Sequence, residues 1–242
     1  MRGLILATQF LTRLPTPQVR DFEPADLARC AVWFPAVGLI IGALLAGLAF
    51  MAGSQPPMLL AILLIGLWTW VTGGLHLDGL ADLADALGAS HSRPERFLEV
   101  LKDPHLGSFG VIALVLMLLS KFVLLSQIDP RLFAALLPSL VLVPAWARLG
   151  PLVWVWWLPP LHGGMGDRFA WQRQPWAMLF WAALLAAASL WFSPRLLAAP
   201  LLIAAWGLFL KRKLGGQCGD ALGAGIEVTE LGLLLALAIR LP

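Results

Sequence analysis

Three aspartates, Asp78, Asp82 and Asp85, follow a long apolar run in the segment Gly-Gly-Leu-His-Leu-Asp-Gly-Leu-Ala-Asp-Leu-Ala-Asp, residues 73–85. Their i, i+4, i+7 spacing puts all three on one face of a helix. Like charges this close repel one another, and a divalent cation relieves the repulsion. Oxygen-only ligands favour a hard ion such as Mg²⁺, which binds through one or two carboxylates and keeps other positions for water and substrate phosphate. The segment therefore reads as a metal-dependent site for a phosphorylated substrate at a membrane surface. A solvated acidic helix cap is the competing reading. Against it stand Gly73, Gly74 and Gly79, which weaken a helix but permit close backbone approach. His76 is a candidate general base or hydrogen-bond partner, with an ordinary interfacial histidine as its alternative.

A second constellation spans residues 211–230. It opens with Lys211, Arg212 and Lys213, continues through Gly215 and Gly216, and enters a helix at Asp220. A glycine-rich loop before a helix offers backbone N–H groups to an anion, and the cationic side chains add charge to hold phosphate. Asp220, Glu227 and Glu230 have helical spacing (i, i+7, i+10), and carboxylates inside a membrane span point to function. The two acidic helix faces could supply ligands to a shared two-metal site. An interfacial basic anchor with a small-residue packing stripe is the alternative.

In the loop 91–110, Ser92 and Glu95 form a capping-box pattern with Pro94 in the first turn. A short amphipathic helix is expected to run to Lys102, ended by Asp103-Pro104. Lys102, Asp103 and His105 are candidate substrate contacts, with a solvated turn as the competing reading. Arg148 lies deep in an apolar segment and needs a neutralising partner, for which the acidic clusters are candidates. Lys121 is expected to snorkel toward the interface. Arg13, in Phe-Leu-Thr-Arg-Leu-Pro (residues 10–15), is either a substrate clamp or a topology signal.

The elements that must position these groups are membrane helices. Of 242 residues, 60% are hydrophobic and 13% charged, against about a quarter charged in a soluble domain; mean hydropathy is +0.82. The expectation is an all-α, polytopic membrane helical bundle with short cytoplasmic loops, a single domain over residues 1–242. Spans of about 20 apolar residues fall near 31–52, 57–76, 108–127, 132–157, 176–192, 196–210 and 222–240, which makes about seven. The fifth and sixth are short and could be a re-entrant pair. Pro35, Gly38 and Gly42 are expected to kink or break the first span, and Pro138 and Pro144 the fourth.

A cytoplasmic N-terminus with seven spans puts twelve Lys and Arg residues on the cytoplasmic side and three, Arg131, Arg195 and Arg240, on the other. This asymmetry obeys the positive-inside rule and places both acidic loops, and an active site, toward the cytoplasm. Cys30 and Cys218 show no disulfide framework or metal-ligand spacing. The order of charge and apolar run at the N-terminus is not that of a cleavable signal. No nucleic-acid partner is expected.

These residues resemble the cobalamin synthase family, membrane adenosylcobinamide-GDP ribazoletransferases, nearly end to end. The family pattern Phe-x-Thr-Arg-x-Pro is matched by Phe10 to Pro15. Thr-Gly-Gly-x-His-x-Asp-Gly-Leu-Ala-Asp-x-x-Asp is matched by Thr72 to Asp85. Lys/Arg-Asp-Ser-Arg-x-Gly-Thr is matched by Lys102 to Ser108, and Leu-Gly-Gly-x-Thr-Gly-Asp-x-Leu-Gly-Ala-x-x-Glu by Leu214 to Glu227. The second and fourth motifs are long and specific. Departures are Pro104 and His105 for the usual Ser-Arg, Cys218 and Leu83 for Thr, and Ala86 for Gly.

The resemblance implies a reaction. A ribose hydroxyl of α-ribazole, or of its 5′-phosphate, attacks the phosphorus nearer the corrin in adenosylcobinamide-GDP, and GMP leaves. It implies Mg²⁺ held among Asp78, Asp82, Asp85, Asp220 and Glu227. His76, Asp82 or Asp85 would take the hydroxyl proton. Arg13, Lys102, Asp103, Arg148, Lys211, Arg212, Gly215 and Gly216 would hold substrate, and tryptophans could line a corrin cavity or anchor the interface. The location is the cytoplasmic (inner) membrane. A homo-oligomer or association with other cobalamin-pathway enzymes stays open.

Two other classes compete. CDP-alcohol phosphotransferases share the Asp-Gly opening at Asp78 and Gly79, with Ala81 following, but continue with Arg where this chain has Asp82. Prenyltransferases pair two Asn/Asp-rich motifs, which the glycine-rich ending does not fit. A transporter also uses intramembrane carboxylates and broken helices, but its site should lie near the midplane.

Overall fold

The structure, a computed structural model, describes residues 2–19, 23–90, 96–127, 133–161 and 174–239. Its helices are α1 (Arg2–Leu11), α2 (Pro24–Cys30), α3 (Phe34–Ala52), α4 (Pro57–Thr72), α5 (Leu75–Ala89), α6 (Arg96–Val100), α7 (Ser108–Ser126), α8 (Phe133–Trp157), α9 (Pro175–Phe192), α10 (Ala199–Lys213) and α11 (Gly219–Ala238). Among the described residues there is no strand, and the only bridge, between Pro160 and Gln217, is isolated. The expected all-α bundle is the observed architecture.

Among the described residues, six segments are long and apolar enough to cross a membrane: Ala28–Ala52, Ser108–Ser126, Leu137–Trp157, Pro175–Phe192, Pro194–Lys213 and Gly219–Ala238. The pair α4 and α5 makes a seventh candidate, bent by 87°. The fifth and sixth expected spans are two separate helices, each of sufficient length. The capping-box residues Ser92 and Glu95 lie outside the described residues, and α6 stops at Val100, short of Lys102.

The bend after α4 has a local cause. Gly73 and Gly74 both adopt left-handed backbone, with φ of 65° and 74°, which side-chain-bearing residues rarely do. Their amides donate to the carbonyls of Trp70 and Thr69, which ends α4. The chain then turns, and α5 crosses the first turns of α7 and α11. It thus lies across one end of the bundle, outside the spanning segments.

α8 is the central helix; every residue from 142 to 152 is buried. It carries Pro138, Pro144 and Pro151 and still runs as one helix, as does α3. The first span does change near its start, where a 3-10 turn over Ala31–Trp33 gives way to α3 beside Pro35, whereas the break expected in α8 is absent; Gly38, Gly42 and Pro144 serve helix packing. A Cβ on Gly38 would lie 2.5 Å from the Pro144 carbonyl oxygen, and one on Gly42 would lie 2.7 Å from that of Leu140. Pro144 has no N–H to offer Leu140, so the backbone of α3 settles against the carbonyl that this proline leaves. Small residues make such close approach attainable within a membrane.

Tryptophans pin helix to helix. Trp146 Nε1 donates to Ser189 Oγ at 2.9 Å, Trp154 to the Ile203 carbonyl at 2.8 Å, Trp181 to Val32 at 2.7 Å and Trp206 to Ala221 at 3.0 Å. Each indole buries its ring and satisfies its one donor across a helix interface. α7 and α9 turn Val111, Val115, Leu119, Leu179 and Phe180 outward, as lipid-facing helices do.

Candidate active site

The α4–α5 turn, the residues after α1, the 102–107 loop and the first turns of α7 and α11 meet at one end of the bundle. A cavity of about 650 Å³ opens there. Arg13, Gly73, Asp78, Asp82, Pro104 and Leu106 are in its wall. The Arg13 backbone N–H donates to the Val71 carbonyl at 2.7 Å, and its side chain lies over Gly73. A Cβ at Gly73 would collide with that side chain at 2.5 Å, so this glycine gives Arg13 its place. A second cavity of about 200 Å³ lies on the other side of Asp78, between α5, α8 and α11, with His76 and Asp220 in its wall.

Asp78 and Asp82 pair with no cation among the described residues. α5 and α11 approach closely, since a Cβ on Gly79 would lie 3.0 Å from Asp220 Cα. Asp82 is half-buried, and Asp78, Asp220 and Asp85 all bear on it with like charge. Burial first, and then those neighbours, push its carboxyl up to about 6.

Asp85 has a different task. Its Oδ2 accepts the Gly107 N–H at 2.8 Å, and its Oδ1 accepts the Gly110 N–H at 2.9 Å. Both oxygens are therefore engaged in tying the start of α7, and the loop before it, to the acidic helix. Such charge-assisted bonds to backbone N–H groups are strong, and the helix N-terminus favours the anion. The i+7 spacing that grouped Asp85 with Asp78 and Asp82 describes the face but not this occupancy.

The remaining sequence candidates divide. Lys102 and Asp103 sit exposed on the loop beside the large cavity, whose wall is made by Pro104 and Leu106 instead. Asp103 Oδ1 lies 2.6 Å from His105 Nδ1, and that hydrogen bond holds its carboxyl below the usual range. Gly215 has left-handed backbone, with φ of 75°, and its N–H donates to the Leu210 carbonyl, closing α10. Gly216 packs against the Pro159 carbonyl, and the Gln217 N–H donates to that same oxygen at 2.8 Å. The loop's geometry thus fastens it to the segment after α8. Lys211 and Arg212 are exposed at the end of α10, with Lys211 Nζ 5.9 Å from the Trp157 ring centroid; neither lines the two cavities.

Arg148 and Glu227 lie away from the acidic cluster in a buried network. Arg148 Nη1 donates to Glu230 Oε1 at 2.7 Å, and Lys121 Nζ to Glu230 Oε2 and Glu227 Oε2, each at 2.7 Å. Two cations and two anions neutralise one another within the bundle. Lys121 faces inward, over the Trp68 ring at 4.5 Å, rather than snorkelling outward, because the two glutamates of α11 meet it there. Arg148 Nη2 reaches to 3.5 Å from His76 Nδ1. A guanidinium can only donate, and His76 Nε2 is buried with no hydrogen-bond partner among the described residues.

A profile of the CobS family, "Cobalamin-5-phosphate synthase", matches residues 3–238. The chain belongs to this family. It is 58% identical over 249 residues to the adenosylcobinamide-GDP ribazoletransferase of Laribacter hongkongensis, covering all of this chain and 99% of that one. It is 55% identical over 243 residues to the enzyme of that name from Novosphingobium aromaticivorans, covering 99% and 97%. With the enzyme so named from the Pseudomonas aeruginosa PAO1 strain, identity is 39% over 246 residues, covering 99% and 98%. No solved structure matches. As a member of the cobalamin synthase family, the chain is a transferase of cobalamin biosynthesis with a multi-helical membrane body.

Among the described residues, no three His, Cys, Asp or Glu side chains converge to hold a metal ion unaided. The five acids Asp78, Asp82, Asp85, Asp220 and Glu227 do not form one ligand set. Asp78, Asp82 and Asp220 do approach one another across the α5–α11 contact, and an all-oxygen, mutually repelling set of this kind fits an ion that takes few carboxylates and keeps water and phosphate. Asp85 and Glu227 stand apart from that set: both oxygens of Asp85 accept backbone N–H groups, and Glu227 is ion-paired with Lys121 within the bundle. Sequence reasoning passed over Phe34, Thr12, Pro104 and Leu106 as wall residues. Only Thr12 and Phe10 carried a signal, by flanking Arg13 in its motif. Among the described residues no tryptophan lines either cavity.

Proposed function

We propose that this cobalamin synthase family member joins adenosylcobinamide-GDP to α-ribazole or its 5′-phosphate. The products are adenosylcobalamin or its 5′-phosphate, and GMP. The observation that carries the reading is Asp78 standing where two cavities meet, with Asp82 and Arg13 beside it in the larger one.

The ribose hydroxyl oxygen forms a bond to the corrin-side phosphorus, the anhydride P–O bond breaks, and the electron pair leaves on GMP. Arg13 is the cation placed to hold the diphosphate. The exposed Lys211 and Arg212 raise the local concentration of anionic substrate at this end. Asp78 and Asp82, with Asp220 from α11, would hold Mg²⁺, which supplies charge neutralisation at the phosphates. His76 is buried, with Nδ1 3.5 Å from Arg148 Nη2. A carboxylate at the cavity junction is placed to take the hydroxyl proton.

The site end also carries Arg13, Arg29, Lys102 and the Lys211–Lys213 cluster, while Arg195 lies at the start of the helix that ends in that cluster. By the positive-inside rule this end faces the cytoplasm, in the inner membrane, where both soluble substrates reach it. The test is GMP release by purified protein given Mg²⁺, adenosylcobinamide-GDP and α-ribazole phosphate. GMP with matching corrinoid product, abolished by EDTA, is expected. Absence of release from folded, inserted protein would remove the proposal, and release that survives EDTA would remove the metal.

A further inference from the structure

The two cavities that meet at Asp78 differ in charge and in size. They share Phe10, Leu75 and Asp78 in their walls and little else. The larger is the more open and holds the cation Arg13. The smaller, about 200 Å³, has no Lys or Arg in its wall among the described residues, and its charged wall residues are Asp78 and Asp220. Its other face is apolar, made by Phe34, Pro151, Leu222 and Ile226. The Phe10 and Phe34 rings lie nearly parallel, 7° apart, with centroids 6.0 Å apart.

We propose that the smaller cavity is the subsite for the flat heteroaromatic base of the acceptor nucleoside. This rests on the transferase reading above. A displacement between two substrates needs two binding sites that adjoin at the reacting atoms. Both cavities carry two carboxylates, and Arg13, the cation placed to hold a diphosphate, lies in the wall of the larger one beside Asp78 and Asp82. A neutral, planar, largely apolar ring gains most from burial against aromatic and aliphatic walls. The volume admits a bicyclic heteroaromatic ring and excludes a corrin macrocycle. With the base seated among Phe34, Leu222 and Ile226, the attached ribose lies toward Asp78, where the larger cavity brings the diphosphate.

Gly219 offers a direct test. It lies in the small cavity's wall, and a Cβ there meets nothing within 4 Å, so a side chain can be added without a backbone clash. Binding of α-ribazole to purified protein is measured by equilibrium dialysis without the corrinoid substrate. Gly219→Leu should weaken it by about tenfold or more, the scale of an overpacked site. Ile226→Phe, filling from two turns further along the same helix, should do the same and stands in if the first variant fails to insert. Leu114→Trp, in the wall of the large cavity only, should leave nucleoside binding unchanged and raise KM for adenosylcobinamide-GDP. Wild-type nucleoside affinity in both filling variants overturns the assignment, as does loss of that affinity in Leu114→Trp alone or no binding by the wild-type protein. GMP release with nucleoside binding indifferent to filling removes the subsite and leaves the reaction standing. Filling-sensitive binding without GMP release does the reverse.

Discussion

Two groups of acids in this molecule meet opposite fates. Glu227 and Glu230 are buried in the bundle, and each is matched by Lys121 or Arg148 at 2.7 Å. Asp78 and Asp82 stand at the bundle's end, lining an open cavity, with no cation paired to either among the described residues. The first group holds α7, α8 and α11 together and has no charge to spare. The second keeps an uncompensated negative potential facing the space where substrate must come. Acids of the same chemistry therefore serve structure where the fold brings cations to them, and remain available for a ligand where it does not.

The sharpest way to break this contrast is Asp82→Asn, which should lower turnover by about a thousandfold or more while leaving insertion and thermal stability intact. Wild-type rates in that variant would erase the distinction. Glu230→Gln tests the other group. It leaves Lys121 and Arg148 short of a counter-charge and should cost about 3–5 kcal/mol of stability, seen as a lowered midpoint of thermal unfolding in detergent. If Glu230→Gln unfolds like the parent, the buried network is not what holds these helices.

Asp85 sharpens the contrast, because it shares a helix face with Asp82 but has both oxygens engaged. Asp85→Asn replaces one acceptor with an amide donor and should lose about 1.5–3 kcal/mol of hydrogen bonding at the start of α7. Faster hydrogen exchange at the Gly107 and Gly110 amides is expected, with the Mg²⁺ concentration for half-maximal activity unmoved. A shifted metal requirement with unchanged exchange would return Asp85 to the ligand set. The smallest effect concerns the distance between α5 and α11. Gly79→Ala places a Cβ 3.0 Å from Asp220 Cα and should cost about 1–3 kcal/mol of strain, read as a weaker apparent Mg²⁺ affinity. Gly223→Ala meets its nearest neighbour at an ordinary 3.5 Å and should be near neutral. Equal effects from the two would mean that the helix spacing does not set the site.

Much of this was legible because it is local. The apolar segments announce the spans, Gly73-Gly74 marks the turn, and the basic cluster before Asp220 marks the loop into the last helix. Other features misled for a physical reason. Gly38 and Pro144 read as breaks when each helix is considered alone, yet they are the two sides of one α3–α8 contact. Lys121 read as an interfacial cation because its partners are 106 and 109 residues away. Glu227 read as a ligand because its neighbours in sequence do not include that lysine.

By itself, then, the sequence determined the membrane environment, the helical class and the register of the acids on their helices. Those follow from hydropathy and a 3.6-residue period, which need no knowledge of distant residues. The tertiary structure decided which acids are neutralised, which backbone N–H groups are taken, and that two unlike cavities meet at Asp78. Desolvation and hydrogen bonding act on whatever the fold brings within a few ångströms, and that proximity is set by how α5, α7, α8 and α11 pack.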